Sequence, residues 1–393
     1  MHTLPQGYRL ATVKADFRKE ARDDLALLVS DAPAALAGVF TTNIYKAAPV
    51  LVCMQSLQEQ PNARAVLINS GRANACTGDE GLARCRATLE MTAKATGLQA
   101  HEILPLSTGI IGEQLRLELW EKAVPQLANR LGTARLEDFA RAMMTTDAFP
   151  KFASTELELA GGTVRLCGAA KGAGMICPNM ATMLSVFFCD ALVELEDWRA
   201  MFRRAADQTF NRVSVDGDTS TNDSLLGLAN GASGVRLAKH ELPLLEDALR
   251  SLLAKVAYML VQDGEGASKV MHIQVRGAAS EKDAELVARA IGHSQLVKTA
   301  MFGRDPNWGR IAAAAGRSGA SFRAERVNIR LCGVELLKNG QPCGVDVDAR
   351  LREPLDQRDV HIEIELGAGS AEYFFLASDL GHDYVSCNAD YRS

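Results

Sequence analysis

Between Lys171 and Asp190 the chain reads KGAGMICPNMATMLSVFFCD. Gly172, Gly174 and the pair Pro178-Asn179 break this stretch into turns, and the nearly polar-free run from Met183 to Cys189 predicts a buried strand. Thr182 stands at the mouth of that strand. A hydroxyl after a tight turn can attack the peptide bond before it, and the amine so released then serves as the local base. Most threonines at strand starts only satisfy turn hydrogen bonds, so Thr182 gains meaning from the company it keeps.

Other stretches offer groups for acyl chemistry. In EILPLSTGIIGEQL a strand-like run gives way to Ser107-Thr108-Gly109 and then to a predicted helix start. A hydroxyl beside an unhindered glycine amide can donate to one developing oxyanion, whereas the plainer role for the triplet is a helix cap. Glu265 lies between Gly264 and Gly266, as a solvated loop charge or a positioned acid. The acidic loop VDGDTSTND, Val215 to Asp223, lacks the closing Glu of a calcium-binding EF-hand loop and reads as a turn and helix start. GRDPNWGR, Gly303 to Arg310, is read as a structural corner.

Taken together, TTN (Thr41 to Asn43), NSGRANACTG (Asn69 to Gly78), STGIIGE (Ser107 to Glu113), TTD (Thr145 to Asp147), the Lys171–Asp190 stretch, VDGDTSTND, DGEGASK, GRDPNWGR and the terminal NADYRS resemble the ornithine acetyltransferase family of arginine biosynthesis, also called glutamate N-acetyltransferases. The resemblance spans the chain. It implies self-cleavage at Ala181-Thr182 into segments 1–181 and 182–393, with Thr182 as nucleophile and Thr108 and Gly109 as the oxyanion hole. Thr146, Lys171, Thr182, Glu265, Asn388 and Ser393 are implied as substrate contacts, with Thr145 open as an alternative to Thr146. The implied reaction carries acetyl from N2-acetylornithine to glutamate through an acetyl-Thr182 intermediate. The implied fold is α/β (α+β), a layered αββα sandwich of the N-terminal-nucleophile type with a smaller α/β unit at about 269–366. The implied assembly has two copies of each fragment, and the C-terminal tail returns to the active site. No cofactor is implied; acetyl-CoA as a second acetyl donor stays open. Related self-processing aminopeptidases, which release their acyl group to water, are the competing enzyme class, and an uncleaved small-molecule binding protein is the non-catalytic one.

Composition narrows the classes further. With 43 basic against 48 acidic residues and no basic run, the chain lacks the electrostatic footprint of a nucleic-acid partner. No apolar stretch is long enough for a membrane span, and the N-terminus lacks the apolar centre of a signal peptide, so a cytoplasmic protein is expected. Nine scattered cysteines without CxxC pairing fit reduced thiols, and seven histidines show no HExxH or Cys/His cluster, so no metal site is expected.

The elements that must position these residues follow from periodicity. Tyr8 to Phe17 and Leu25 to Asp31 are predicted strands, the second ending at the turn containing Pro33. A helix is expected near 50–59, a strand over 65–68 followed by a Gly/Asn-rich loop, and a helix over 78–96. Amphipathic helix is expected from Leu115 to Met144, interrupted near Gly132. TELELAGGTVRLCGAAKG reads as a hairpin turning at Gly161-Gly162 and delivering Lys171. Helices are expected over 196–209, 240–261 and 280–300, a strand in KVMHIQVRGA, short alternating strands over 327–366, and a final strand carrying Asn388 and Ser393.

Overall fold

The computed structural model describes residues 3–177 and 183–390, which form two compact units: residues 3–211 with 218–260, and residues 212–217 with 261–390. In chain order the strands are β1 (Tyr8–Val13), β2 (Leu25–Phe40), β3 (Asn62–Arg72), β4 (Ile103–Ile110), β5 (Lys151–Leu159), β6 (Gly162–Lys171), β7 (Leu184–Cys189), β8 (Val213–Ser214), β9 (Ser224–Ala229), β10 (Val270–Ala278), β11 (Asn328–Leu331), β12 (Val334–Lys338), β13 (Gln341–Pro342), β14 (Asp359–Glu365) and β15 (Ala371–Ser378). The helices are α1 (Ala48–Glu59), α2 (Gly78–Thr96), α3 (Leu117–Asn129), α4 (Leu136–Met143), α5 (Leu195–Gln208), α6 (Leu242–Gln262), α7 (Glu281–Gly292), α8 (Gln295–Phe302), α9 (Trp308–Gly316), α10 (Val347–Asp356) and α11 (His382–Asp390). Both units are mixed α/β, in line with the expected class.

The first unit is built on one mixed sheet in the order β4-β3-β2-β9-β7-β6-β5, with β1 on β2. Alternation along β3 sends Val66 and Ile68 to a core shared with Leu136, Phe139 and Met143 of α4, and Ala65 and Leu67 to a second core with Leu89 of α2 and Trp120 of α3. A strand buried on both faces reads as a continuous apolar run, which is why periodicity marks this sheet weakly. Small residues make room where large ones press in: a Cβ on Gly227 would meet the Phe202 ring at 2.4 Å, and one on Gly168 the Phe187 ring at 2.2 Å.

In the second unit the order is β13-β12-β11-β14-β10-β15-β8, and the helices α7, α8 and α9 supply Val287, Met301 and Ile311 to a core beneath Ile273, Ile362 and Phe375. His293 follows α7, and burial with Arg289, Lys298 and Arg317 nearby pushes its pKa down to about 4. GRDPNWGR is the corner entering α9, where Asn307 Oδ1 accepts from Arg310 N–H at 3.0 Å as an N-cap.

Four local expectations are corrected. β2 does not end at Pro33: it runs on to Phe40, and its register with β3 shifts between Val29 and Ala34, the kind of bulge where a residue without an N–H is tolerated. Ser107-Thr108-Gly109 lies within β4, paired with Asn69-Ser70-Gly71 of β3, and α3 starts only at Leu117. No helix starts after VDGDTSTND; the loop delivers β9, whose apolar SLLGLA is held between β2 and β7. Asn388 sits on α11, because the chain leaves β15 at Ser378 and turns helical at His382.

Candidate active site

Three motifs that lie far apart in sequence meet in the first unit. β3 and β4 run in parallel with Gly71 opposite Gly109. Both glycines have positive φ, +133° and +128°, and a Cβ on Gly109 would lie 2.3 Å from the Gly71 carbonyl carbon. Only glycine allows the two backbones to approach so closely. Thr108 precedes this pinch and is buried.

Lys171 ends β6 and is buried as well, and its Nζ donates to Thr108 Oγ1 at 3.4 Å. A hydroxyl that accepts from a cation keeps its own proton for another acceptor, so the contact orients Thr108 as a donor. Beside it lies Asp147, whose Oδ1 accepts from Lys151 Nζ at 2.7 Å and from Gly172 N–H at 2.6 Å, while Oδ2 accepts from Thr145 N–H at 2.8 Å. The Lys151 and Asp147 side chains are both 0% exposed. Burial pushes the Asp147 carboxyl up, but Lys171 and Lys151 with these hydrogen bonds outweigh it and hold the group well below the usual carboxylate range.

A second buried acid faces the start of β7. Asp223 Oδ1 accepts from Met183 N–H at 3.0 Å, and burial pushes its carboxyl well above the usual range despite Lys171, the backbone donor on Met183 and contacts with Ser220. Its neighbour Asn222 donates through Nδ2 to Ala73 O at 2.6 Å and to Ser107 O at 2.8 Å. Ser107 Oγ donates to Asn69 Oδ1 at 2.6 Å. The strand ends around Thr108 are therefore fixed by side-chain bonds as well as by the ladder.

Of the residues singled out from sequence, Thr108, Gly109 and Lys171 come together here. Thr146 sits on the turn after α4, partly buried; the Thr145 amide is taken by Asp147, whereas Thr146 has no hydrogen bond among the described residues. Glu265 and Asn388 meet in the second unit, where Asn388 Nδ2 donates to Glu265 Oε2 at 2.9 Å. Ala181, Thr182 and Ser393 lie outside the described residues. Asp147, Lys151, Asn222 and Asp223 lie against this site although the sequence gives no sign of it: an acid within a hydroxyl-rich motif such as TTD or TSTND reads as a turn until its buried partners are seen. No cluster of three metal-ligating side chains occurs among the described residues, and none of their helices is long and apolar enough to cross a membrane.

Comparison with known proteins gives this geometry a family. The ArgJ family model matches residues 9–393. The arginine biosynthesis bifunctional protein ArgJ of Nitratidesulfovibrio vulgaris is 64% identical over 393 residues, covering 100% of both chains. Its counterpart from Thermosynechococcus vestitus is 44% identical over 100% of this chain and 97% of its own. A crystal structure of arginine biosynthesis bifunctional protein argJ from Bacillus halodurans, 34% identical, superposes with a TM-score of 0.50 and covers 51% of this chain and 96% of that one. With matches of this extent along its whole length, the chain belongs to the ArgJ family.

Proposed function

We propose that this chain is the arginine-biosynthesis acetyltransferase that moves acetyl from N2-acetylornithine to glutamate, with Thr182 as the acyl carrier. The observation that carries the reading is the contact of Lys171 with Thr108 beside the Gly71–Gly109 pinch, since it aims one hydroxyl donor next to a glycine that leaves room for a substrate oxygen. Two such donors are what a tetrahedral oxyanion needs.

In the first step the Thr182 hydroxyl oxygen bonds to the carbonyl carbon of Ala181, the C–N bond to Thr182 breaks, and the nitrogen takes the proton. Water then hydrolyses the ester, leaving chains 1–181 and 182–393. The length of the Bacillus halodurans chain, which is covered almost entirely by about half of this one, supports a break near the middle. The new α-amine titrates near ~7.7–8, so a useful fraction is neutral at cellular pH and can take the Thr182 proton. Thr182 next receives acetyl from N2-acetylornithine, ornithine leaves, and the glutamate amine attacks the ester. Donor and acceptor share an α-amino carboxylate, so one pocket serves both, and Thr146, Lys171, Glu265, Asn388 and Ser393 are the contacts assigned to it. The cycle needs no resident cofactor; acetyl-CoA enters only as an alternative acetyl donor. A cytoplasmic assembly of two copies of each fragment belongs to the same reading.

The test is a denaturing mass spectrum after incubation with acetylornithine. Two fragments, with an acetyl adduct on the one beginning at Thr182, are expected. Thr182→Ala abolishes both scission and transfer, and Thr182→Ser retains slow scission. Full activity in the Ala variant overturns the assignment.

A further inference from the structure

The loop Val215–Asp223 ends in two adjacent buried polar residues, and each holds a different peptide group of the reaction centre. Asn222 Nδ2 donates to Ser107 O at 2.8 Å, and that carbonyl belongs to the peptide bond entering Thr108. Asp223 Oδ1 accepts from Met183 N–H at 3.0 Å, and that amide belongs to the peptide bond leaving Thr182. Two consecutive side chains thus grip the peptides flanking the oxyanion donor and the acyl carrier.

Their own placement is strongly determined. Thr221 Oγ1 donates to Asn222 Oδ1 at 2.7 Å, which fixes the amide orientation so that Nδ2 faces Ser107 O and Ala73 O. Ser220 Oγ accepts from Asn222 N–H at 3.0 Å. Thr41 N–H donates to Asp223 O at 3.0 Å, Thr41 Oγ1 to Ser220 O at 2.7 Å, and Ala47 N–H to Thr221 O at 2.9 Å. Asp223 Oδ2 has no hydrogen-bond partner among the described residues. A fully buried carboxyl that leaves one oxygen without a hydrogen bond is poorly suited to carry a charge.

We propose that Asn222 and Asp223 are positioning residues for acetyl transfer, a two-residue clamp that sets the spacing between Thr108 on β4 and the start of β7 at Met183. The clamp rests on the reading of Thr182 as acyl carrier. Displacement of a reacting group by about 1 Å costs on the order of 10²-fold in rate, which is the effect a slack clamp should have. Asp223 contributes an acceptor and Asn222 contributes a donor, so isosteric exchange separates positioning from mere filling of space. Asn at 223 keeps a carbonyl acceptor for Met183 N–H. Asp at 222 loses the donor for Ser107 O.

The experiment measures kcat and KM for acetyl transfer, the extent of scission, and Tm, in wild type, Asp223→Asn, Asp223→Ala, Asn222→Asp and Asn222→Ala. Wild-type transfer comes first: without it the functional reading fails and the clamp with it. Given an active wild type, D223N should retain at least about a tenth of kcat, whereas D223A, N222D and N222A fall about 10²-fold, with KM within about threefold. If N222D does not fold, Asn222→Ser takes its place with the same expected loss. The clamp is overturned if D223N falls as far as D223A, or if folded Asn222 variants keep wild-type kcat.

Discussion

Asp147 and Asp223 are the same residue type, both buried in one unit and both within electrostatic reach of Lys171, yet their carboxyl pKa values move in opposite directions. The corner between α4 and β6 surrounds Asp147 with Lys151, Lys171 and two backbone amides, so the carboxylate is ionised. The corner before β9 gives Asp223 a backbone amide from Met183, contacts with Ser220 and an unpartnered oxygen, and burial wins, holding its pKa well above the usual carboxylate range. Number and charge of partners decide the direction, not depth. One corner supplies charge beside Thr108; the other supplies an acceptor at the start of β7.

The largest test of this contrast is Asp147→Asn. It removes the acid from a buried ion pair with Lys151 and should cost about 3–5 kcal/mol, read as a fall in the denaturant midpoint. A change below about 1 kcal/mol would mean that the two corners are alike. Thr108→Ala comes next, because it removes the hydroxyl through which the charged corner reaches the chemistry. kcat should fall roughly 10²- to 10³-fold with KM little changed, the usual effect of losing one oxyanion donor. An unaltered kcat would detach Lys171 and its corner from catalysis.

The smallest effect is the most discriminating. The folded chain keeps a proton on Asp223 that the unfolded chain releases above its ordinary pKa of 3.8, so this group lowers stability as pH rises from there toward the folded value. Asp223→Asn cannot titrate, and its Tm relative to wild type should therefore improve as pH rises above 3.8. Asp147 has the opposite sign: its contribution is full at neutral pH and lost as pH falls through and below 3.8. Parallel Tm–pH curves for wild type and D223N would show that Asp223 is ionised after all.

The elements around these corners differ in how far they can be read from sequence. Periodicity finds α2 to the residue and the turn of the β5–β6 hairpin, although β5 begins at Lys151, before the alternating stretch from Thr155; the hairpin turns at a Gly pair, and α2 starts at Gly78 and stops at Gly97 in the left-handed region. It leaves helix and strand open at β9, where SLLGLA is buried on both sides and has no alternation to show, and it fails at Asn388, which lies on the short helix α11 and not on a final strand. Thr108, Gly109 and Lys171 enter the reading through the motifs that carry the family resemblance, and the structure brings the three side by side. Asp147 and Asp223 were not found, since a single Asp at a turn carries no mark of what it will be buried against.

What the sequence determined by itself was the chemistry on offer: a hydroxyl at 182 after a Pro-Asn pair, a Thr-Gly pair at 108–109 and a lysine at the end of a hairpin, each set by local residue type and spacing. Tertiary structure decided which of these face one another and which acids are charged. Lys171 finds Thr108 across 63 residues, Asn222 finds Ser107 across 115, and Asp223 finds Met183 across 40. Hydrogen bonds and pKa values depend on distance and burial in space, and neither is written in the order of residues along a chain.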